Sequence, residues 1–342
     1  MDKQQYKFSA KTVDCYFETN FSFLEKIISK ENAVIVTDTN ISSVYEDAFN
    51  GWKVVAIQPG EKNKQQSTID EIINQLIKLQ ADRNTFIIGI GGGIVTDIAG
   101  YAASVYMRGI KFSFIPTSIL AMVDAAIGGK NGVDVGVYKN LVGTIRHPEF
   151  LMFDYSLLKT LPPAEWINGF AEIIKHGCIK DKSLFEILEN NTVETFQNSA
   201  DKIAALIKRN VEIKYNIVAG DEFETNERKL LNFGHTIGHA IENIYQLPHG
   251  NAVSIGIAAA CKISEIINDF SSEETARVIA LLKKYNLPVD FQFDKEKVWE
   301  VLLMDKKKSG DTMSFILLNK IGEGVIKSIP LYQLKELVNQ HL

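Results

Sequence analysis

Histidines that lie close together along the chain are the first candidates for chemistry in this sequence. His235 and His239 are four residues apart, so a helix would place both imidazoles on one face. His249 follows in a proline-containing loop, where the chain can fold back towards that face. Imidazole nitrogens are good ligands for divalent transition metals, and a carboxylate would complete such a site. The pattern predicts a metal site, with Glu172 and His176, also four residues apart, as a rival pair of donors.

A run of glycines is the second candidate. Residues 89–93 read Gly-Ile-Gly-Gly-Gly, between an apolar strand-like run and a helical segment. Glycine there lets a phosphate approach the backbone, and the helix N-terminus favours its negative charge. Ile94 takes the place of the third glycine of G-x-G-x-x-G, so the dinucleotide fingerprint is not matched. Asp97 lies in the first helical turn, where an acidic residue also suits the helix dipole. A nucleotide-binding turn and an ordinary strand-to-helix turn both remain open.

Basic residues inside apolar or glycine-rich segments form the third candidate group. Lys130 and Lys139 lie in a glycine-rich stretch. Lys175 lies inside an apolar helical segment, and Arg228 precedes the clustered histidines. Singly, each is typical of a side chain that extends to solvent. Together, they predict a site that neutralises a polyanionic small substrate.

The elements that must position these residues follow from the apolar pattern. Strand-like runs occupy residues 33–40, 52–61, 85–93 and 111–120, and helical patterns occupy residues 67–83 and 94–107. This alternation predicts an α/β domain with a mostly parallel, Rossmann-like sheet and helices on both of its faces. Ligands of such sheets bind beyond the carboxyl ends of the strands, which is where the glycine run falls.

Helical periodicity dominates after about residue 155. Residues 313–330 are a short strand-like exception. We therefore predict an α/β domain over residues 1–155 and a mainly α-helical domain over residues 156–342. A cleft between two domains is the usual place for a binding site.

Composition excludes several other classes of protein. The 342 residues carry 37 basic and 42 acidic side chains, a net charge of −5, which disfavours a nucleic-acid-binding surface. No apolar run reaches the roughly 18 residues of a spanning helix, and the N-terminus has no apolar signal region. The three cysteines are far apart and show neither metal-binding nor disulfide spacing. We expect a cytoplasmic protein without membrane or nucleic-acid partners.

Eight segments carry a resemblance to a known family. In chain order they read GGGIVTDIAGY, MRGI, PTSILAMVDAAIGGKNGVD, YKNLVG, GFAEIIKHG, ERKLLNFGHTIGHAIE, LPHG and MDKKKSGDTMSFILLNKIG. Together they resemble the 3-dehydroquinate synthase family of the sugar phosphate cyclases, over about residues 30 to 330. The resemblance implies an N-terminal NAD-binding α/β domain, a helical C-terminal domain that binds metal and substrate, and a homodimer. It also implies NAD and a divalent metal, zinc or cobalt, as cofactors.

The resemblance assigns roles to individual residues. It implies Glu172, His235 and His249 as metal ligands, which makes His239 a catalytic or substrate-contacting residue. The implied cofactor-binding residues are Asp38, Asn40, Glu61, Lys64, Gly92, Gly93, Asp97, Thr117, Ser118 and Thr160. The implied substrate-binding residues are Arg108, Asp124, Lys130, Lys139, Asn140, Lys175, Lys214, Arg228, Asn232, His239 and Lys307. The implied catalytic residues are Glu224, His239, Lys130, Asn140 and Lys175. Arg108 is expected to reach the phosphate pocket of the neighbouring subunit.

The implied reaction converts 3-deoxy-D-arabino-heptulosonate 7-phosphate into 3-dehydroquinate and phosphate, a step of aromatic amino-acid biosynthesis. It proceeds by transient oxidation with NAD, phosphate elimination, re-reduction and aldol closure. Asn131 and Asp134 stand where many family members have other residues, so a sister sugar phosphate cyclase is an alternative. An NAD- and metal-dependent polyol dehydrogenase would share the plan, but its uncharged substrate gives no reason for the basic set. A catalytically silent nucleotide-binding protein is disfavoured, because every expected metal-ligand and basic position is filled.

Overall fold

The computed structural model describes residues 1–136, 138–303 and 308–341, which divide into two compact units. The first unit comprises Met1–Pro162 with Ala200–Glu222, and the second comprises Pro163–Ser199 with Phe223–Leu342. The sequence predicted one continuous second domain over residues 156–342. In the structure, residues 200–222 belong to the first unit instead. Its helix packs on a π-helical turn, Ala121–Ala125, of the first unit. Helical periodicity shows that a face is apolar and does not say which element covers it.

Strands and helices alternate along the first half, and helices dominate the second. The strands are β1 Asp2–Lys7, β2 Thr12–Phe17, β3 Ala33–Asp38, β4 Lys53–Ile57, β5 Phe86–Gly91, β6 Phe112–Pro116, β7 Lys130–Val135, β8 Tyr138–Ile145, β9 Phe150–Met152, β10 Lys308–Ser309, β11 Thr312–Lys320 and β12 Glu323–Pro330. The helices are α1 Leu24–Ile27, α2 Thr39–Val44, α3 Gln66–Lys78, α4 Gly93–Val105, α5 Pro163–Lys180, α6 Lys182–Glu189, α7 Val193–Gln197, α8 Ala200–Gly220, α9 His235–Tyr245, α10 His249–Asn268, α11 Ser272–Lys284, α12 Lys295–Leu303 and α13 Leu331–His341.

The first unit is built on a seven-stranded sheet in the order β1-β2-β9-β6-β5-β3-β4. All neighbouring strands pair in parallel except β1 with β2, so the predicted mostly parallel α/β sheet is confirmed. The chain passes from β3 outward to β4 and then returns to the other side of β3 as β5. This reversal opens a crevice beyond the carboxyl ends of β3 and β5, the usual ligand position in such sheets. Asp38 and the glycine run end those two strands.

The glycines at the end of β5 fall into two kinds. A Cβ on Gly89 would lie 2.9 Å from the Cβ of Ala99, and one on Gly91 would lie 2.6 Å from that of Val95. Those two positions let α4 pack against the sheet. A Cβ on Gly92 would meet only the Ser118 hydroxyl, at 3.5 Å, so the backbone there is open to a ligand. Because α4 begins at Gly93, Asp97 falls in the second helical turn and not, as predicted, in the first.

Strands β7 and β8 form a hairpin that the sequence predicted only as a glycine-rich stretch. Lys130 pairs with Ile145 at its base, and Val135 pairs with Tyr138 near its tip. The buried Asn131 side chain holds the base together by donating to the carbonyls of Gly129 at 2.8 Å and Arg146 at 2.9 Å. Most of β8 is exposed, because this strand pairs only with β7.

The second unit is mainly helical, as predicted, with a three-stranded sheet β10-β11-β12. Residues 313–330, predicted as one strand-like segment, form the antiparallel pair β11 and β12. Helix α5 is buried continuously from Gly169 to Ile179, as expected for a central core helix. The sequence analysis found no apolar run of spanning length, but helix α10 is long and apolar enough to span a membrane. Of its apolar window, 72% is buried inside the protein. It is therefore a core helix by its packing.

Candidate active site

Close packing of α9 on α10 brings two of the clustered histidines together in the second unit. Gly234 precedes α9 in the left-handed conformation, with φ 78°, which glycine adopts without strain. A Cβ on Gly256 of α10 would lie 1.8 Å from the Gly234 carbonyl oxygen. A Cβ on Gly238 would lie 2.8 Å from the carbonyl oxygen of Ala252. The glycines therefore let the two helix backbones touch, close to where His235 begins α9 and His249 begins α10.

Three donors converge at this point. The Oε1 atom of Glu172, on α5, lies 3.4 Å from the Nε2 atom of His235 and 3.3 Å from that of His249. The donor atoms of the three residues all lie within 4.8 Å of one another. For metal–ligand bonds of 2.0 to 2.1 Å, tetrahedral geometry requires donors about 3.3 Å apart. Both distances from the Glu172 oxygen match that spacing, and one carboxylate with two imidazoles suits zinc or cobalt.

The charge balance of this cluster keeps the carboxylate ionised. Glu172 is fully buried, and the ammonium of the equally buried Lys175 donates to its second oxygen. Burial alone would raise the pKa of Glu172, but Lys175 and His235 hold it well below its usual value. Burial would lower the pKa of His249, but its bonds to the carboxylates of Glu172 and Glu242 raise it to about 10. A metal at this site would therefore displace a proton from His249.

Other predicted residues of the second unit lie around this cluster or on the segment that precedes it. The His239 ring is centred 4.9 Å from that of His235 and 6.0 Å from that of His249. Arg228 is buried in the 3-10 turn Glu227–Asn232, and Asn232 donates to the Glu224 carboxylate. Glu224 has φ 59°, a left-handed conformation that is uncommon for glutamate. His176, the rival donor by spacing, is fully buried on α5. Lys307 lies outside the described residues.

Glu242 is a residue of this site that the sequence analysis did not single out. It lies on α9, 5% exposed, with its Oε2 atom 3.3 Å from the Nδ1 atom of His249. It follows His235 by seven residues and His239 by three, which puts all three on one helical face. A carboxylate that shares one helical face with two histidines, inside an apolar helix, is the sequence feature that could have identified Glu242.

A second charged cluster lies in the first unit. The buried Lys64 ammonium lies 2.6 Å from the Asp97 carboxylate and donates to Asn140 Oδ1 at 2.6 Å. Burial would lower the pKa of Lys64, but Asp97 and Glu61 outweigh it and raise that pKa above its usual value. Lys139 pairs with Glu61 at 2.9 Å. Residues predicted for the cofactor and for the substrate therefore contact each other within this unit.

The two residues that depart from the family pattern have roles inside the hairpin. Asn131 clamps the hairpin base and faces α4, where a Cβ on Gly100 would lie 1.9 Å from its Oδ1 atom. Asp134 accepts a hydrogen bond from the backbone N–H of Asn140 at 2.7 Å. That contact supports the left-handed Asn140 backbone, with φ 51°. Both substitutions thus shape the loop that carries Lys139 and Asn140.

The remaining predicted residues of the first unit fall at strand ends, on turns or on α8. Asp38 caps α2, its Oδ1 accepting from the backbone N–H groups of Asn40 and Ile41 at 2.9 and 3.0 Å. Lys214, on α8, bonds the Asp124 carboxylate at 2.8 Å. Thr117 and Ser118 are buried just after β6. Thr160 is exposed, and its hydroxyl lies 2.7 Å from that of Tyr45. Arg108 and Lys130 are exposed.

Family models match most of the chain. The model described as 3-dehydroquinate synthase N-terminal matches residues 54–168, and the one described as 3-dehydroquinate synthase C-terminal matches residues 169–308. A 3-dehydroquinate synthase from Clostridium perfringens strain 13 is 44% identical over 279 residues, 80% of this chain and 79% of that protein. One from Ruminiclostridium cellulolyticum is 38% identical over 320 residues, 89% of each.

A solved structure with the same fold contains ligands. It is a 2-deoxy-scyllo-inosose synthase in complex with carbaglucose-6-phosphate, NAD+ and Co2+. The superposition has a TM-score of 0.87 at 25% sequence identity and covers 100% of both chains. That structure thus contains both kinds of cofactor, NAD and a divalent metal, that were predicted for this chain.

Proposed function

This chain belongs to the 3-dehydroquinate synthase family, and from that premise we propose that it converts 3-deoxy-D-arabino-heptulosonate 7-phosphate into 3-dehydroquinate and phosphate. The observation that carries the proposal is the convergence of Glu172, His235 and His249 beside the buried Lys175. A polyanionic substrate also explains the basic residues of an acidic protein.

We assign the metal to Glu172, His235 and His249, and NAD to the crevice beyond β3 and β5. When bound, zinc or cobalt supplies a Lewis acid for a substrate hydroxyl, and NAD supplies a reversible hydride acceptor. Lys175 holds one oxygen of Glu172, so the other oxygen stays directed at the two imidazoles. The chain thus presents its three donors in place before any ligand arrives.

Proton transfer falls to groups near the donors. His239 is packed against both histidine ligands and is not needed as a third imidazole donor, so it is available to accept a proton from a substrate hydroxyl. We assign to Glu224 the transfer of that proton onward from His239, because a hydrogen bond from Asn232 holds the Glu224 carboxylate. Its strained backbone is typical of a position kept for function.

Phosphate recognition falls to the hairpin. Lys130 is at its base, and Lys139 and Asn140 are near its tip. Lys139 pairs with Glu61, and Lys64 holds Asn140, so the tip is tied to the cofactor side of the same unit. A substrate phosphate would compete with Glu61 for the Lys139 ammonium. Binding then orients the leaving group and excludes water from it.

The decisive experiment counts phosphate against NAD. With excess heptulosonate phosphate, we expect many phosphates released per NAD supplied, without growing NADH absorbance, because the hydride returns to the same carbon. A polyol dehydrogenase would accumulate one NADH per turnover and release no phosphate. That result would overturn the proposed reaction. Assaying other sugar phosphates in parallel distinguishes a sister cyclase.

We also propose a homodimer in which Arg108 reaches the partner's site. Met107 and Arg108 are consecutive non-glycine residues with φ 48° and 65°, a strained arrangement that exposes both side chains. Apolar residues are exposed on this turn and on the hairpin; they are Val105, Met107, Val135, Tyr138, Leu141, Val142 and Ile145. Exposed apolar patches of this kind are typical of surfaces that a second chain covers.

Mixed dimers test the shared site. Arg108→Ala chains and Lys130→Ala chains should each be inactive, and mixing them should regenerate activity in heterodimers, which contain one intact composite site. Native mass spectrometry would verify that mixed dimers form. Mixed dimers without recovered activity would contradict a site shared between subunits.

We place the enzyme in the cytoplasm, where its three free, buried cysteines would remain reduced.

A further inference from the structure

The two histidine ligands are oriented by different kinds of acceptor. The Nδ1 atom of His235 lies 3.0 Å from the backbone carbonyl of Phe233. The Nδ1 atom of His249 lies 3.3 Å from the carboxylate of Glu242. Both rings point Nε2 at the same oxygen of Glu172. A ring whose Nδ1–H donates to an acceptor has its lone pair on Nε2, where a metal binds.

The cost of burying Glu242 indicates that its charge has a purpose. Its side chain is 6% exposed in a helix whose neighbouring face consists of apolar residues such as Ile237 and Ile241. A buried carboxylate is costly unless it is paired with a charged or donating group. The His249 ring supplies such a group, and it lies on a different helix. Glu242 therefore fixes a ring that begins α10 from a position on α9.

We propose that Glu242 is a positioning residue that holds His249 in the Nδ1–H tautomer and strengthens its Nε2 atom as a metal ligand. The inference rests on the metal centre of the proposed function. The Nδ1 atom of His249 then faces a side-chain acceptor, whereas the Nδ1 atom of His235 faces a backbone carbonyl. Removing the Glu242 carboxylate should weaken metal binding without removing a ligand.

A competing arrangement makes Glu242 itself a ligand. His239, Glu242 and His249 also have donor atoms within 4.8 Å of one another. In that arrangement His249 would bind through Nδ1, the atom that faces Glu242, and neither Glu172 nor His235 would be required. The direction of both Nε2 atoms at Glu172 favours the first arrangement. Substitution of His235 distinguishes the two.

The experiment measures the affinity of the full-length chain for Zn2+ and Co2+ by competition with a chromophoric chelator. The variants are Glu242→Leu, Glu242→Gln and His235→Ala, with Glu265→Gln as the matched control. Glu265 lies 16 residues after His249 on α10, roughly 24 Å along the helix. We expect Glu242→Leu to bind metal about 10- to 100-fold more weakly, as is typical for loss of an outer partner. Glu242→Gln keeps an acceptor oxygen and should recover part of that loss.

The visible spectrum of bound Co2+ is the readout that a general loss of packing would not reproduce. At saturating Co2+, Glu242→Leu should keep the visible spectrum of the wild-type complex, because Glu172, His235 and His249 all remain. Wild-type affinity in Glu242→Leu would overturn the inference. So would metal binding that survives His235→Ala but is abolished by Glu242→Leu, since Glu242 would then be a ligand. A wild-type chain that binds no metal would instead refute the metal centre, and phosphate release would test the proposed reaction separately.

Discussion

The cluster of Glu172, His235 and His249 in the second unit and the cluster of Lys64, Asp97 and Asn140 in the first unit accommodate buried charge in different ways. Glu172, Lys175 and His235 lie on helices, almost without exposure, and the donor atoms of Glu172 and His235 converge with that of His249. Lys64 and Asp97 instead neutralise each other, and their partner Asn140 lies on an exposed hairpin. In the first arrangement one carboxylate oxygen faces two imidazole nitrogens, whereas in the second the lysine ammonium is paired with a carboxylate and an amide oxygen.

The difference indicates which part of the site is built in advance. Donors on packed helices keep their positions through the core, so they can be ready before a ligand binds. A hairpin with an exposed outer strand opens more easily, and its contacts can exchange for those of a ligand. We therefore expect substitutions in the helical cluster to abolish metal binding and activity. Substitutions in the hairpin cluster should cause smaller changes in ligand affinity and in the free energy of unfolding.

The largest effect is expected from Glu172→Gln. This change removes the charge on which both imidazoles converge and keeps the volume. We expect loss of stoichiometric metal and a fall in phosphate release of at least about 1,000-fold, because a Lewis acid contributes several kcal/mol. Metal analysis and the phosphate assay would measure both. Retention of metal by this variant would contradict the ligand assignment.

The double variant Glu172→Gln/Lys175→Met separates chemistry from folding. Glu172→Gln leaves the Lys175 ammonium buried without its carboxylate, which typically costs about 3 to 5 kcal/mol. Replacing Lys175 with methionine should restore much of the thermal stability and none of the metal binding. Equal melting temperatures for the single and double variants would argue against the buried ion pair.

The next effect distinguishes two histidines of the same helix. We expect the metal affinity of His235→Ala to fall by more than about 100-fold. That is a larger loss than is typical when a residue that only orients a ligand is removed. His239→Ala should keep the metal and lose rate, because His239 acts on protons. Metal content after dialysis and single-turnover rates would measure these outcomes. Equal metal loss in both variants would refute the division of roles.

A smaller effect is expected from Asp97→Asn in the first unit. Lys64 would keep its bond to Asn140 but lose its charged partner. We expect a loss of about 2 kcal/mol in the free energy of unfolding, less than for a fully buried pair, because Asp97 is 19% exposed. NAD affinity should fall as well, while zinc affinity stays the same. Thermal unfolding and NAD titration would check this. An equal fall in zinc affinity would break the proposed independence of the two clusters.

The smallest effect is expected from Asn131→Ala at the base of the hairpin. It removes the hydrogen bonds to the carbonyls of Gly129 and Arg146 and should cost about 1 to 3 kcal/mol. We expect a several-fold rise in KM for the sugar phosphate, because Lys130 and Asn140 lose their fixed spacing, with unchanged metal affinity. Asn84→Ala, an exposed asparagine of the same unit, is the matched control. An unchanged KM would show that the clamp does not position these two side chains.

Local periodicity accounts for most of what the sequence predicted correctly about the fold. The mainly apolar runs that became β3, β5 and β6 are buried at nearly every position, as is typical of parallel strands covered on both faces. Strand β1 was not predicted, because DKQQYK is polar at an antiparallel edge, where only one position is buried. Helix α8 was predicted as a helix, but its place in the first unit was not.

The sequence by itself determined most of the buried strands and the helices, the glycine turn and the set of residue types that chemistry requires. With the family resemblance it also selected Glu172, His235 and His249, although spacing alone left His239 and His176 open as donors. Only the tertiary structure decided that the Nε2 atoms of His235 and His249 meet one oxygen of Glu172, and that Glu242 faces His249. The reason is physical: periodicity records which side of a helix is buried. The convergence of donors 77 residues apart depends instead on how closely the helix backbones approach. Here Gly250 on α10, where a Cβ would lie 2.5 Å from the carbonyl oxygen of Asn168 on α5, permits that approach.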